Sequence, residues 1–115
     1  MTIKLNHKAL SHARRLVERG KVVRDSRDAW SEDAPSADEE NAYIDKHGYE
    51  GYGEWFLGVD DEKNEDTKGR YSFPFGDFTS VHRCAVISLE GRASQNDHDD
   101  IARASKNLLE LIDKG

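Results

Sequence analysis

Only one cysteine (Cys84), one methionine and two prolines occur in the chain, and nowhere is there a long apolar run. A single thiol excludes an intramolecular disulfide and removes the cysteine pairs on which zinc knuckles and dithiol redox motifs depend, so a reducing, cytoplasmic setting is expected. No stretch approaches the roughly 20 apolar residues that a membrane-spanning helix needs, so no membrane partner is expected. The opening residues Met1, Thr2, Ile3, Lys4, Leu5 and Asn6 lack the apolar centre of a secretion signal, and export by that route is not expected. Also missing are a Gly-x-Ser-x-Gly nucleophile turn and a glycine-rich phosphate loop. Thr67, Lys68 and Gly69 carry the right residue types in the wrong order.

What is present points to a folded but small core. The 115 residues suit one domain spanning 1–115. Charged residues make up 35% of the chain and hydrophobic ones 36%, yet two Trp, four Tyr and four Phe exceed the aromatic content of a disordered chain. Charge is polarised along the sequence. Residues 1–30 hold eight Lys and Arg against three acids, residues 31–66 hold two against thirteen, and the remainder balances seven against seven. A basic end next to an acidic middle suits recognition of an outside partner, mutual pairing of the two segments, or separate solvated surfaces.

Helical spacing dominates the pattern. Ala9, Leu10, Ala13, Leu16 and Val17 form one stripe between about His7 and Arg19, with Asn6 placed to cap the start and Gly20 to end it. Residues 21–35 show no sustained period and read as a loop anchored by Val22, Val23 and Trp30. Ser36 and Glu39 form a capping box that opens a second helix, carrying Tyr43 and Ile44 and stopping at Gly48. A third, central helix from about Ser80 to Gln95 has apolar residues on more than one face. Asn96–Asp100 then caps a final helix with Ile101, Ala104, Leu108, Leu109, Leu111 and Ile112 on its stripe.

Between the second and third helices, Glu54–Val59 and Arg70–Phe75 are short, aromatic and β-prone, and read as a hairpin. Pro74 cannot donate to a central ladder, so the second strand ends there or lies at an edge. The charged connection from Asp60 to Gly69 has no large apolar residue and is expected to be mobile. Tyr71, Phe73, Phe75 and Phe78 crowd four aromatics into eight residues, more than one small hairpin is expected to bury, so at least one should stay partly exposed beside His82 or Arg83.

No reaction chemistry follows from these residues, and no catalytic residue, cofactor or metal ligand set is expected. On one helix, the two-residue spacing of His82 and Cys84 would set their side chains about 200° apart, which favours Cys84 as a small core residue. A calcium loop starting at Asp60 would place Glu65 where glycine is required. His98 among Asp97, Asp99 and Asp100 reads as helix capping, and His7 and His12 are five apart rather than four. His82 and Arg83 stand at a helix start, where the dipole disfavours cations, and so call for a specific partner such as Asp77 or the acidic connection.

The phrases Trp55–Asp60, Asp66–Phe78, Val81–Cys84 and Arg92–Gln95 resemble a family of small uncharacterised bacterial proteins, most closely from Trp55 to Ile112. A looser similarity extends to tail segments of tailed-phage prohead maturation proteases. It implies at most a shared accessory module of prophage descent and carries over no catalytic residue.

These readings together give a mostly helical single α+β domain with a small aromatic β-hairpin packed on a helical core. The expected role is non-enzymatic, through contacts with an unidentified protein partner. The candidate binding residues are Trp55, Tyr71, Phe73, Phe75, His82 and Arg83. The alternative partner is nucleic acid, held at its phosphates by Lys8, Arg14, Arg15 and Arg19 of the first helix.

Overall fold

The computed structural model describes residues 3–25, 29–30 and 34–114. Of the unpatterned segment 21–35, residues 26–28 and 31–33 therefore lie outside the described residues. The architecture is α+β, with four α-helices among the described residues packed around a three-stranded antiparallel sheet and a separate two-stranded parallel ribbon.

Strand β1 (Lys4–Leu5) leads into helix α1 (His7–Glu18) through Asn6, whose side chain does two jobs. Its oxygen accepts from the Ala9 N–H, while its amide donates to the carbonyls of Gly53 (3.0 Å) and Phe56 (3.1 Å). The expected cap thus also ties α1 to the middle of the chain. Ala9, Ala13 and Leu16 are buried, and the helix ends before Gly20, at a φ of +76°.

Helix α2 (Ala37–Gly53) opens on the Ser36–Glu39 capping box, with both reciprocal hydrogen bonds formed. The expected stop at Gly48 is a bend: φ 74° and ψ 173° there break the helix, and a further turn runs on to Gly53. Only glycine adopts that backbone without strain.

The hairpin forms as expected, with β3 (Phe56–Val59) paired antiparallel to β4 (Tyr71–Pro74), and β1 adds an unforeseen third strand in the order β1-β3-β4. Pro74 lies on an edge strand, where its missing N–H costs nothing. Core aromatics fill the space beneath, with Trp55 stacked on Phe75 at 5.6 Å and Tyr52 tilted on Phe56 at 4.7 Å. Phe73 and Phe78 reach their places only with φ values of 62° and 70°, a costly backbone for bulky residues that the surrounding packing must hold.

In the connection after β3, Asp60, Asn64 and Thr67 each accept a backbone N–H two residues on, and Lys68–Arg70 forms a 3-10 turn. Arg70 then donates to the carbonyls of Lys63 (2.8 Å) and Asp61 (3.4 Å). A loop without apolar residues is here held by hydrogen bonds instead.

The central helix, α3 (Arg83–Gln95), starts later than its apolar pattern suggests, because Val81–His82 forms strand β5, paired in parallel with β2 (Val22–Val23). Asp77 makes the preceding turn by accepting from the N–H groups of Thr79 and Ser80, which delivers Val81 to the ribbon in an extended state. In α3 the residues Cys84, Ala85, Val86, Leu89 and Ala93 are buried, and Ile87 is half-buried. Helix α4 (Asp99–Lys114) folds back on α3 and buries Ile101, Ala104, Leu108 and Ile112 from its stripe.

Candidate functional site

Two polar regions stand out, one closed and one open. The closed one follows from the β2–β5 register. Val23 pairs with His82, so Asp25, two residues past Val23, meets Cys84, two residues past His82. The N-cap position of α3 is His82, which makes no side-chain capping bond; Asp25 supplies the cap from across the ribbon, its Oδ1 accepting the Cys84 N–H at 2.9 Å. The other oxygen of Asp25 lies 2.7 Å from His82 Nδ1, and Asp77 Oδ2 lies 2.7 Å from His82 Nε2. The ring is held in a clasp of two carboxylates, with Trp30 packed at 5.4 Å.

Burial disfavours charge on this ring, but the hydrogen bonds and negative charges of Asp77 and Asp25 outweigh it, and His82 titrates above the ordinary histidine value. Burial likewise works to raise the Asp77 carboxyl. The His82 hydrogen bond and the N–H groups of Ser80 and Thr79 overcome it, and Asp77 lies below the ordinary carboxylate value. An acceptor at each ring nitrogen requires a donor on each, which is the imidazolium. The side chain of His82 is only 7% exposed, so this is a buried ionic cluster.

The helical-wheel separation of His82 from Cys84 does not hold, because His82 is extended (φ −103°, ψ 122°) and only Cys84 is helical. A ring nitrogen of His82, the Cys84 sulfur and an Asp25 carboxylate oxygen all lie within 4.8 Å of one another. Sequence reasoning missed Asp25, which sits 57 residues before His82 in a segment with no periodicity. The available signal was the pair of β-branched runs, Val22–Val23 and Val81, that the ribbon brings together.

Arg83 points elsewhere. Its guanidinium makes a two-pronged bond to Asp113 near the end of α4, at 2.8 and 3.2 Å. The hydrogen bond to Asp113 lifts Arg83 above its ordinary value, and the same bond lowers the Asp113 carboxyl. The two cations that the sequence sets side by side therefore serve different elements.

The open region is a groove of about 770 Å³ beside the Gly48 bend. Half-buried Leu5, Tyr49, Val59 and Tyr71 line it, together with Lys8 and Glu50, an exposed ion pair at 3.4 Å. The tip of the Tyr71 ring lies against Gly53, where an added Cβ would sit 2.4 Å from Cε1, and Arg70 stands 6.0 Å from the ring centre.

Of the six residues expected to bind a partner, Trp55, Phe73 and Phe75 are 3%, 8% and 0% exposed and form core. His82 is locked in the clasp, and Arg83 is held by Asp113. Tyr71 alone lines the groove, and the cation beside it is Arg70. Phe78 is also half-buried, but it stacks on Tyr43 at 4.5 Å. The aromatic cluster closes this far because it packs against α2 as well as under the sheet, through Tyr43 and Tyr52.

On α1, Arg14, Arg15 and Arg19 are exposed, while Lys8 belongs to the groove rim. Arg14 shares a shallow hollow with Glu18 and Glu110. The Lys8–Glu50 and Lys4–Asp61 pairs join the basic start of the chain to its acidic middle. No described helix is long and apolar enough to cross a membrane. No family model, curated protein or solved structure matches this chain.

Proposed function

We propose that the protein is a non-enzymatic accessory domain that works through protein contacts, with the groove beside Gly48 taking an extended segment of a partner. The observation that supports this most is the open lining of half-buried Tyr49 and Tyr71 with Arg70 alongside. Tyrosine and arginine dominate binding energy at protein interfaces, because each offers a large contact area with a polar end. The rim carries both signs of charge, so a partner segment with both Lys or Arg and Asp or Glu is the chemical match.

A second reading, nucleic acid on α1, is favoured by the exposed Arg14, Arg15 and Arg19. A pull-down from native cytoplasm with three baits separates the two: the unaltered chain, a Tyr49→Ala, Lys8→Glu variant and an Arg14→Glu, Arg15→Glu variant. The groove reading expects a captured protein that is lost with the first variant and kept with the second. Capture of nucleic acid, lost only with the second variant, assigns the α1 surface instead. Capture indifferent to both variants contradicts both readings.

A further inference from the structure

We propose that Asp25, His82 and Cys84 form a binding site for one borderline-soft divalent cation of the zinc class. The three residues come from two positions past the end of one strand, the end of its parallel partner and the first turn of the helix that follows, so the β2–β5 register itself assembles the set. A carboxylate oxygen, an imidazole nitrogen and a thiolate sulfur are the donor types that zinc accepts, and hard cations such as calcium or magnesium do not seek the sulfur.

The surroundings already have the form of a metal site. His82 Nε2 is bonded to Asp77 at 2.7 Å, which leaves Nδ1 as the ligating atom. This carboxylate–histidine arrangement orients the ring and raises its basicity in zinc proteins generally. Asp25 Oδ1 is held by the Cys84 N–H at 2.9 Å, so the carboxylate and the thiol are fixed to each other through the backbone. Cys84 is the second residue of α3, so the start of the helix fixes where its sulfur lies.

The fit requires small movements. Bonds of about 2.0 to 2.3 Å in a tetrahedral zinc site set ligand atoms roughly 3.2 to 3.8 Å apart. A pair at the 4.8 Å limit closes by about 1.3 Å to reach a sulfur-to-nitrogen or sulfur-to-oxygen separation of about 3.5 Å, and the 2.7 Å Nδ1–Oδ2 pair opens by about 0.5 Å. Binding replaces the proton on Nδ1 and the proton on the thiol, so two protons leave as one dication enters. Three protein ligands leave a fourth position on the metal for water or another donor.

Cobalt(II) is the probe, added to the metal-free 115-residue chain and followed by absorption. The proposal expects one cobalt per chain, a near-ultraviolet thiolate-to-cobalt charge-transfer band, strong tetrahedral visible bands, and displacement by zinc. Cys84→Ser should abolish the charge-transfer band. Asp77→Asn, which alters only the residue holding the ring, should keep the band and weaken apparent affinity about 10- to 100-fold. A wild-type chain with no charge-transfer band at saturating cobalt overturns the proposal without recourse to any variant. So does a band that survives Cys84→Ser. The groove plays no part in this experiment, so either outcome leaves the proposed partner surface to its own test.

Discussion

The clasp and the groove are built from the same kinds of residues and do opposite things. Around His82, carboxylates, an imidazole and a tryptophan close on one another until the ring is 7% exposed, and every ring nitrogen has a partner. Around Gly48, carboxylates, cations and tyrosines face an open volume, and the Lys8 and Glu50 side chains remain 75% and 82% exposed. The difference lies in the backbone. A parallel ribbon and a helix start converge on His82 from two directions, whereas the α2 bend at Gly48 and the Leu5 and Val59 positions of the sheet line an open volume. Polar side chains brought together by three elements satisfy one another, and those around the groove face solvent.

The sharpest way to break this contrast is to empty the clasp. His82→Ala removes the ring from between two carboxylates and should cost about 3 to 5 kcal/mol in denaturant unfolding of the metal-free protein, as loss of one partner from a buried ionic cluster does. A loss below about 1 kcal/mol would place the cluster with surface ion pairs. Next in size is Gly53→Ala, which drives a methyl group into the Tyr71 ring. It should cost about 1 to 3 kcal/mol as an overpacking change and displace Tyr71 from the groove. Reduced partner capture with the core still folded would tie the groove to its support.

The smallest effect is expected next door to the clasp. Arg83 and Asp113 lie at the surface, so Asp113→Asn should scarcely move the unfolding midpoint. Because the folded Asp113 carboxyl lies below its ordinary value, whatever the pair contributes is present above the unfolded carboxylate range and is lost as pH falls through the folded value. Unfolding measured across that acidic range in wild type and variant should converge at the low end, and added salt should erase the difference.

The sequence announces the helices because their signals are local. The Asn6 and Ser36 caps, the glycine at position 20 and the α4 stripe all act within a few residues of where they stand, and each is found in place. The hairpin is legible for the same reason. The start of α3 is not, because Val81 and Cys84 share an apolar run that suits a helix, and only the distant Val22–Val23 pair draws Val81 and His82 into a strand. Asp77 as a partner for His82 follows from its place in the preceding turn, but Asp25 depends on a contact across 57 residues. Counting aromatics rightly leaves some of the four partly exposed, Tyr71 and Phe78, but it places them beside His82 or Arg83, whereas the cation beside Tyr71 is Arg70 and Phe78 stacks on Tyr43 of α2.

Native-state hydrogen exchange, resolved residue by residue, reads both regions in one experiment. The Cys84 amide, bonded to Asp25, and the His82 amide, bonded to the Phe75 carbonyl at 2.9 Å, should exchange only through global unfolding. The amides of Tyr49 and Glu50 open a new helical turn after the Gly48 break and should exchange through local fluctuation, many times faster. Cys84 exchanging as fast as Glu50 would contradict the account, because the clasp would then be no more closed than the groove.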